Sequence, residues 1–311
     1  MENLILDCDP GHDDAVAILL AAGNPQLNLL GITTVAGNQT LEKVTRNALA
    51  VCAKAGIRVP VAAGAERPLV REQLIAGEIH GASGLDGPVL PEPAFDLDPR
   101  PAAQFIVDTV MTQPAGTVHL VPIGPLTNIA LAMRLEPRLV SRVKSVVLMG
   151  GAVGVYGRTP VTEFNIQADP EAAAAVFEAG WPITMVPLDL TYQALATDEV
   201  LARIGAEGGE LGTFVVEMLT FFGNQYRKER GLPAAPVHDP CAVAKLIDPA
   251  VFTSRPAFVA VELTGTWTWG QTVTDYRGQL GRPHNAEVAD RLDTVRFWDL
   301  VTDAIVHLHN S

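Results

Sequence analysis

Residues 4–22, LILDCDPGHDDAVAILLAA, form the stretch from which the rest of the chain can be interpreted. The apolar run at residues 4–6 is too short for a helix and predicts a buried strand, and the Pro-Gly pair at residues 10–11 predicts a change of chain direction. Apolar residues then recur at helical spacing up to residue 22. The stretch therefore predicts a strand, a tight turn and a helix, with four carboxylates at the carboxyl end of the strand: Asp7, Asp9, Asp13 and Asp14.

Four carboxylates this close together repel one another unless a cation holds them. Asp13 and Asp14 alone could compensate the helix dipole, and Asp7 or Asp9 alone could cap the turn. One Asp at a helix start is ordinary, whereas four around one turn favour a bound counter-ion. Because every side chain offers oxygen, the ion indicated is a hard one, Ca²⁺ or Mg²⁺, rather than zinc.

The length and the composition of the chain limit its possible folds and binding partners. A chain of 311 residues suggests about two domains, but no linker divides it, and strand and helix signals alternate throughout. We therefore predict a single α/β domain over residues 1–311, with an open, mostly parallel, Rossmann-like sheet flanked by helices. The net charge of −13 argues against nucleic acid or an anionic membrane as a partner.

The cysteines and the N-terminal residues indicate the cellular environment of the protein. Cys8, Cys52 and Cys241 are odd in number and widely spaced, which favours neither a disulfide framework nor a zinc site. The first residues lead directly into a strand without the pattern of a signal peptide, and no apolar run approaches the roughly 18 residues of a membrane span. We expect a soluble, cytoplasmic protein.

Polar residues recur where predicted strands end. Predicted strands cover residues 27–35, 59–63, 117–122, 145–149 and 182–188. Asn38 follows the second strand as Asp9 follows the first, and the Gly-Pro turn at residues 124–125 could expose a backbone carbonyl to a metal. Open α/β sheets bind ligands beyond the carboxyl ends of their strands, so we expect the active site at this edge.

Several other residues have both a structural and a functional interpretation. His80 lies in a long, weakly periodic stretch at residues 67–100, of the kind that forms lids, yet a lone histidine in a loop is commonly just solvated. Phe222 and Tyr226 share one face of a predicted helix, which in isolation favours core packing. Asp239, before a proline, could simply cap the next helix.

The sequence also predicts the local conformation of two other segments. Glu163 and Asn165 are two residues apart and would face the same side of an extended chain. Residues 257–263 and 267–276 predict the strands of a hairpin-like extension.

The stretch DCDPGHDDAVA at residues 7–17 resembles the signature of the nucleoside hydrolases, D-x-D-P-G-x-D-D-A-V-A, at every fixed position. Within that family the chain is most similar to the inosine–uridine-preferring enzymes. The resemblance covers essentially the whole chain, because eight further motifs follow in the family's order: AGNQT (36–40), IHG (79–81), GPLTN (124–128), VVLMGG (146–151), EFN (163–165), DPEAA (169–173), LDLT (188–191) and VHDP (237–240).

The resemblance implies a Ca²⁺ ion at the bottom of the pocket. Its ligands would be Asp9, a bidentate Asp14, Asp239 and the backbone carbonyl of Ile123, with water and the ribose 2′- and 3′-hydroxyls completing the shell. A site of seven or eight oxygens suits Ca²⁺ better than Mg²⁺. Asp7 would support the ligands without touching the ion.

The reaction implied is hydrolysis of the N-glycosidic bond of ribonucleosides, through a transition state with oxocarbenium character, to give ribose and a free base. Asp9 would accept a proton from the attacking water, and His238 would assist departure of the base. Ribose would contact Asp13, Asn38, Asn165 and Met149, with Glu163 on its 5′-hydroxyl, and the base would contact His80, Phe222 and Tyr226.

The resemblance also implies a broad specificity for purines and pyrimidines, a role in nucleoside salvage, and a homo-oligomer, commonly a tetramer and otherwise a dimer. An aromatic pair stacks on either class of base, whereas pyrimidine-specific relatives tend to carry polar residues at the matching positions. A pyrimidine-specific hydrolase is the alternative. Relatives usually carry Asn at the position of Gly157, where it binds the 5′-hydroxyl; Tyr156 or Arg158 could compensate.

Two rival functions are weaker. A haloacid-dehalogenase-type phosphatase also has D-x-D after its first strand, but Gly11 stands where Thr or Val is usual, and Asp13 and Asp14 have no counterpart there. A non-catalytic, Ca²⁺-dependent nucleoside-binding protein would lack Asp9 or His238, and both are present.

Overall fold

The computed structural model describes residues 1–155 and 157–311, and its centre is a nine-stranded sheet. Two further short strands, β7 and β8, pair with each other outside this sheet. In chain order the strands are β1 (Glu2–Cys8), β2 (Leu27–Thr34), β3 (Val61–Ala63), β4 (Val118–Pro122), β5 (Val143–Met149), β6 (Ile183–Val186), β7 (Leu195–Ala196), β8 (Ala235–Pro236), β9 (Phe252–Val261), β10 (Thr272–Asp275) and β11 (Ala286–Leu292).

Helices cover both faces of this sheet. They are α1 (His12–Gly23), α2 (Leu41–Lys54), α3 (Gly77–His80), α4 (Ala102–Thr112), α5 (Thr127–Leu135), α6 (Leu139–Arg142), α7 (Phe164–Ala168), α8 (Pro170–Glu178), α9 (Leu188–Thr191), α10 (Asp198–Glu207), α11 (Gly209–Arg230), α12 (Pro240–Ile247) and α13 (Thr294–His309).

The sheet has the order β10-β9-β11-β6-β5-β4-β1-β2-β3. Every pair from β11 to β3 is parallel, and β9 pairs antiparallel with β11 and β10. The predicted α/β architecture with a mostly parallel sheet is therefore confirmed. The strand order reverses at β1, which lies between β2 and β4, and such a switch point is where open α/β sheets bind ligands.

The alternation of side chains along β1 explains why both faces need helices. Leu4 and Leu6 point into the core that contains α1, α11, α12 and α13, whereas Ile5 points into the core beneath α4, α5 and α8. All three side chains are buried, as expected of a central parallel strand.

Two predicted parts of the sheet differ in the structure. The strand predicted at residues 182–188 ends at Val186, because Pro187 offers no N–H to the sheet and stands at the N-cap of the short helix α9. The two strands of the predicted hairpin-like extension do pair with each other, as β9 and β10, but they form an edge of the main sheet. They are joined to it by β11, which the sequence analysis missed. Charged residues alternate with buried ones along β11 and weaken its apolar pattern.

No helix in residues 1–155 or 157–311 has the length and apolar character needed to cross a bilayer.

Candidate active site

The loops that follow β1, β2, β4 and β5 meet around one cavity at the switch point. Eleven side chains or carbonyls expected from the sequence line it: Asp13, Asn38, His80, Ile123, Met149, Glu163, Asn165, Phe222, Tyr226, His238 and Asp239. Asp9 and Asp14 are fully buried beneath this lining. The structure thus brings residues from the whole length of the chain to one place.

A cluster of carboxylates forms the floor of the cavity. Oxygens of Asp13, Asp14 and Asp239 lie within 4.8 Å of one another, a spacing that can hold a metal ion. This group contains Asp13 in place of Asp9, which the resemblance made a ligand. Asp9 is nevertheless close enough for its charge to raise the pKa of Asp239.

Burial, and then mutual repulsion, raises the pKa of the floor carboxyls. The pKa of Asp13 is raised to about 7, first by desolvation and then by the charge of Asp14. Desolvation likewise raises the pKa of Asp14, and it raises those of Asp9 and Asp239 well above the usual value. Such groups remain ionised at neutral pH only if a positive charge compensates them.

Backbone amides hold two of these carboxylates in place. Asp14 accepts hydrogen bonds from the backbone N–H of Asp9 (3.0 Å) and of Gly11 (2.9 Å), and from Nδ2 of Asn38 (3.1 Å). Asp9 accepts one from the backbone N–H of Asn38 through Oδ2 (2.7 Å), while its Oδ1 is buried with no partner among the described residues. Asp9 therefore has one oxygen available for a ligand.

Two glycines leave room for the Asp9 side chain. A Cβ atom at Gly37 would overlap Oδ2 of Asp9, and a Cβ atom at Gly124 would overlap its Oδ1. Gly37 follows β2 and Gly124 follows β4, and these two strands flank β1. The glycines in AGNQT and GPLTN thus have a steric reason for being there.

Asp7 lies near the end of β1 and links this strand to β2 and α5 by hydrogen bonds. Its Oδ1 accepts hydrogen bonds from Oγ1 of Thr33 (2.6 Å) on β2 and Nδ2 of Asn128 (2.7 Å) on α5. Its other oxygen, Oδ2, is buried with no partner among the described residues, so the supporting role expected of Asp7 stays a prediction.

Residues 163–165 form the wall of the cavity. Glu163 caps α7, accepting hydrogen bonds from the backbone N–H groups of Asn165 (2.8 Å) and Gly151 (3.0 Å), and burial raises its pKa to about 7. Nδ2 of Asn165 donates to the carbonyl oxygens of Ile123 (2.8 Å) and Met149 (3.2 Å). The expectation of an extended chain here was wrong, because the Glu163 carboxylate satisfies the first N–H groups of a helix.

A hydrogen-bonded chain runs through His238 on the opposite wall. Its Nδ1 lies 2.7 Å from Oγ1 of Thr191, its Nε2 lies 2.9 Å from the hydroxyl of Tyr226, and its backbone N–H donates to Asp13 (3.2 Å). Burial lowers the pKa of His238 to about 3, so the ring is neutral near pH 7.

Aromatic rings form the roof. His80 stacks on Phe222 with ring centroids 5.1 Å apart, and Phe222 meets Tyr226 edge to face at 4.9 Å. Phe222 and Tyr226 line the cavity and also belong to the buried core on this side of the sheet, so each has both a packing role and a place at the site. His12 stacks on both His80 (5.4 Å) and Phe222 (5.0 Å).

Comparison with known proteins decides the family. The family model described as inosine-uridine preferring nucleoside hydrolase matches residues 4–299. Inosine-uridine preferring nucleoside hydrolases of Crithidia fasciculata and Leishmania major are each 52% identical to this chain, over 98% and 97% of it and 97% and 96% of their own lengths. The chain belongs to the nucleoside hydrolase family. It is accordingly an enzyme that cleaves the N-glycosidic bond of ribonucleosides.

Other relatives differ in the base that their names specify. The pyrimidine-specific ribonucleoside hydrolase RihB of Escherichia coli is 45% identical over 97% of this chain and 96% of its own. The solved structure of a purine-preferring ribonucleoside hydrolase from Gardnerella vaginalis has a TM-score of 0.92 at 33% identity, with 99% of both chains covered.

Two residues of this nucleoside hydrolase were missed by the sequence analysis. His12 stands at a variable position of the first motif, and Thr191 ends the LDLT motif. Both are fully buried and contact expected site residues. The only signal for them was their place inside motifs, since a single histidine or threonine has no pattern of its own.

Two residues beside Gly157 were expected to compensate for the missing Asn side chain. Tyr156, one of the two residues that could compensate for the missing Asn, lies outside the described residues. Arg158, the other, lines the cavity, but its Nη1 pairs with Oε1 of Glu78 at 2.6 Å. Arg158 is thus tied to α3 at the mouth of the cavity.

Proposed function

We propose that this nucleoside hydrolase uses Ca²⁺ to hydrolyse both purine and pyrimidine ribonucleosides, of the inosine and uridine type, and that it acts in nucleoside salvage. The observation that carries the proposal is the floor of buried, crowded carboxylates at the switch point, beneath a roof of aromatic rings. We also propose, from the family resemblance, that the enzyme is a homo-oligomer, as a tetramer or a dimer.

The floor fits a hard cation. It offers carboxylate oxygens from Asp13, Asp14 and Asp239 within 4.8 Å of one another, and an Asp9 oxygen that no described residue satisfies. Asp9, Asp14, Asp239 and the carbonyl of Ile123 are the ligands we propose, with Asp13 close enough to contribute. When bound, Ca²⁺ would orient the sugar and the attacking water and make that water more acidic.

The proposed chemistry begins at Asp9. Water attacks C1′ of the ribose as the bond from C1′ to the base nitrogen breaks, and that bond's electron pair leaves with the base. Asp9, through its unpartnered oxygen, accepts the proton that the water loses. Positive charge develops on the ribose in the transition state, and the surrounding carboxylates stabilise it.

The walls hold the sugar. Asp13, Asn38, Asn165 and Met149 line the cavity beside the floor, where we place the 2′- and 3′-hydroxyls. Glu163 lies on the same wall and would accept a hydrogen bond from the 5′-hydroxyl. Fixing the sugar in this way orients C1′ toward the water above Asp9.

The opposite wall and the roof serve the base. The departing base needs a proton or a partner for its negative charge, and His238 with the Tyr226 hydroxyl at 2.9 Å offers a hydrogen-bonded pair for this purpose. His80, Phe222 and Tyr226 would surround the base itself. A stack of flat rings accepts purines and pyrimidines alike, which supports the broad specificity.

The test is release of reducing sugar from inosine and from uridine, with and without a calcium chelator. We expect ribose from both, loss of activity after thorough chelation, and recovery on adding Ca²⁺. Release from uridine alone would replace the broad specificity with the pyrimidine-specific alternative. No release from either by folded, Ca²⁺-loaded protein would refute the proposed function in favour of nucleoside binding without catalysis.

A control variant separates the enzyme from a contaminating activity. Asp9→Ala, prepared in the same way, should bind nucleoside but release no ribose. Equal release by the variant would contradict the assignment of Asp9.

A further inference from the structure

Tyr192 lines the cavity and has no place in the chemistry proposed above. It directly follows α9, and its half-buried ring meets the imidazole of His238 edge to face, with the centroids 5.5 Å apart. No residue that the structure describes is hydrogen-bonded to its hydroxyl. Burial raises the pKa of Tyr192, so the hydroxyl keeps its hydrogen at neutral pH. The wall of the cavity thus carries a hydrogen-bond donor that is available to a ligand.

Gly157 shows where this hydroxyl lies. A Cβ atom at Gly157 would be 3.7 Å from the Tyr192 hydroxyl and 3.0 Å from Cδ1 of Leu188, and all three residues line the cavity. Besides burial, the charge of Glu163 raises the pKa of Tyr192, so these two side chains are close to each other. The Tyr192 hydroxyl therefore lies on the part of the wall where we place the 5′-end of the ribose.

A 5′-hydroxyl bound at Glu163 needs a donor as well as an acceptor. The Glu163 carboxylate accepts hydrogen bonds from the backbone N–H groups of Asn165 (2.8 Å), Gly151 (3.0 Å) and Ile166 (3.2 Å), which favour its ionised form. An ionised carboxylate only accepts, so it can take the hydrogen of the 5′-hydroxyl but leaves the lone pairs of the 5′-oxygen without a donor. Leaving such an oxygen unpaired in a closed site would weaken binding.

Two arginines that line the cavity are weaker candidates for this donor. Nη1 of Arg158 already donates to Oε1 of Glu78 (2.6 Å) and to the carbonyl oxygen of Ile75 (3.4 Å). Arg230, the last residue of α11, is exposed, so water competes for its guanidinium. Neither guanidinium is both free and fixed in direction.

The neighbours of Tyr192, in contrast, hold it firmly in place. Oγ1 of Thr191 lies 2.7 Å from Nδ1 of His238. Nε2 of Gln193 donates to the carbonyl oxygen of Asp290 (2.8 Å), and its Oε1 accepts from the backbone N–H of Leu292 (3.0 Å), both on β11. Because the chain is fixed on both sides of Tyr192, the direction of its ring is fixed as well.

We propose that Tyr192 is a specificity-determining residue, whose hydroxyl donates a hydrogen bond to the 5′-oxygen of the ribose while Glu163 accepts the hydrogen of the same 5′-hydroxyl. This inference rests on the proposed function, which places the 5′-end of a ribonucleoside at Glu163. The substrate class assigned is a nucleoside with a free 5′-hydroxyl. A nucleoside without that hydroxyl would leave Tyr192 unpaired in the complex and would be a poorer substrate.

A cycle of two small changes tests the contact. Tyr192→Phe removes the enzyme's hydroxyl and keeps the ring that packs against His238, whereas 5′-deoxyuridine lacks only the 5′-hydroxyl of uridine. Tyr192→Phe should lower kcat/KM for uridine by about three- to tenfold, the value of one hydrogen bond. It should change kcat/KM for 5′-deoxyuridine by less than about twofold, because that substrate has no 5′-oxygen to receive the bond. A purely structural role would lower both values alike.

Two control variants complete the experiment. Tyr276→Phe removes a tyrosine hydroxyl at the edge of the sheet, where the ring lies 4.0 Å from the guanidinium of Arg255, and should change neither value. Arg230→Met should retain the preference for uridine over 5′-deoxyuridine. The inference would be overturned by an equal loss on both substrates in Tyr192→Phe, by wild-type kcat/KM for uridine in that variant, or by loss of the preference in Arg230→Met.

Failure of the proposed function would be recognised separately. If the wild type released no ribose from uridine, both nucleosides would stay intact, and calorimetry could measure their binding to the wild type and to Tyr192→Phe. Binding of uridine about three- to tenfold weaker in Tyr192→Phe, with equal binding of 5′-deoxyuridine, would still support the contact. Equal binding of uridine by the two proteins, or binding by neither, would overturn it.

Discussion

Replacing Asn38 by Asp tests whether the floor of the cavity is a set of repelling charges. In the native chain Nδ2 of Asn38 donates to Oδ2 of Asp14 and to the carbonyl oxygen of Asp9, each at 3.1 Å. Asn38→Asp is nearly isosteric, but it places a carboxylate oxygen against an existing carboxylate. Asn38→Ala is the matched control, because it loses the same hydrogen bonds without adding a charge.

The distance between Asn38 Nδ2 and Asp14 Oδ2 sets how strongly Asn38→Asp should destabilise the protein. Two unit charges 3.1 Å apart would repel by about 5 kcal/mol at an effective dielectric constant of about 20, which is an upper limit because the raised pKa of Asp14 leaves it less than fully charged without a cation. The new carboxyl can avoid the repulsion by taking up a proton, and this limits the loss of stability. Protonating a carboxyl with a pKa of about 3.9 costs about 4 kcal/mol at pH 7 and about 1.5 kcal/mol at pH 5. With about 2.1 cal/mol/K of unfolding entropy per residue over 311 residues, 4 kcal/mol lowers Tm by about 6 °C and 1.5 kcal/mol by about 2 °C.

The sign of the pH dependence follows from the raised pKa. The new carboxyl has a higher pKa in the folded state than in the unfolded chain, so stability is retained below about pH 4 and lost as the pH rises through the folded value. Thermal denaturation in chelator should therefore show Asn38→Asp melting about 6 °C below Asn38→Ala at pH 7 and about 2 °C below it at pH 5. Added Ca²⁺ should narrow the gap at pH 7. Equal melting of the two variants at both pH values would refute the repulsion argument.

Three further predictions concern the site directly. Asp9→Ala should lower kcat for uridine by at least about a thousandfold with the circular dichroism spectrum unchanged; near-native turnover would exclude Asp9 as the base. Gly37→Ala should lower kcat because its Cβ would overlap Oδ2 of Asp9, whereas Gly223→Ala, in a helix with its nearest neighbour 3.6 Å away, should leave kcat unchanged. Last, 2′-deoxyuridine should be a much poorer substrate than uridine, since the 2′-hydroxyl is proposed to contact the cation; comparable kcat/KM for the two would contradict that contact.

The floor of the site could be predicted from the sequence because its residues are tied to strand ends. Asp9 follows β1, Asn38 follows β2 and Ile123 follows β4, and parallel neighbouring strands must bring their carboxyl ends to one edge. Short apolar strands with acidic or amide residues after them are therefore sufficient to predict the location. They do not predict which carboxylates converge, and Asp13 rather than Asp9 lies in the closest group.

The roof could not be predicted in the same way, since it depends on contacts between distant segments. His12 on α1, His80 on α3 and Phe222 on α11 meet only when the long stretch between residues 64 and 101 folds over the sheet edge. The four-residue spacing of Phe222 and Tyr226 indicates a common face but not what that face meets. Thr191 was missed because its partner, His238, is 47 residues away.

The division between floor and roof explains how one architecture can serve relatives whose names specify different bases. The floor is built from backbone amides, carboxylates and glycines fixed by strand ends, where even a methyl group at Gly37 or Gly124 would overlap the Asp9 carboxylate. The roof is built from side chains on α3 and α11, which are not part of the sheet. If the proposed function is right, substitutions in the roof alter base selection while Asp9 and its neighbours keep their geometry. By this argument, His12 joins the two: it begins α1 beside the carboxylates, and its ring contacts those of His80 and Phe222.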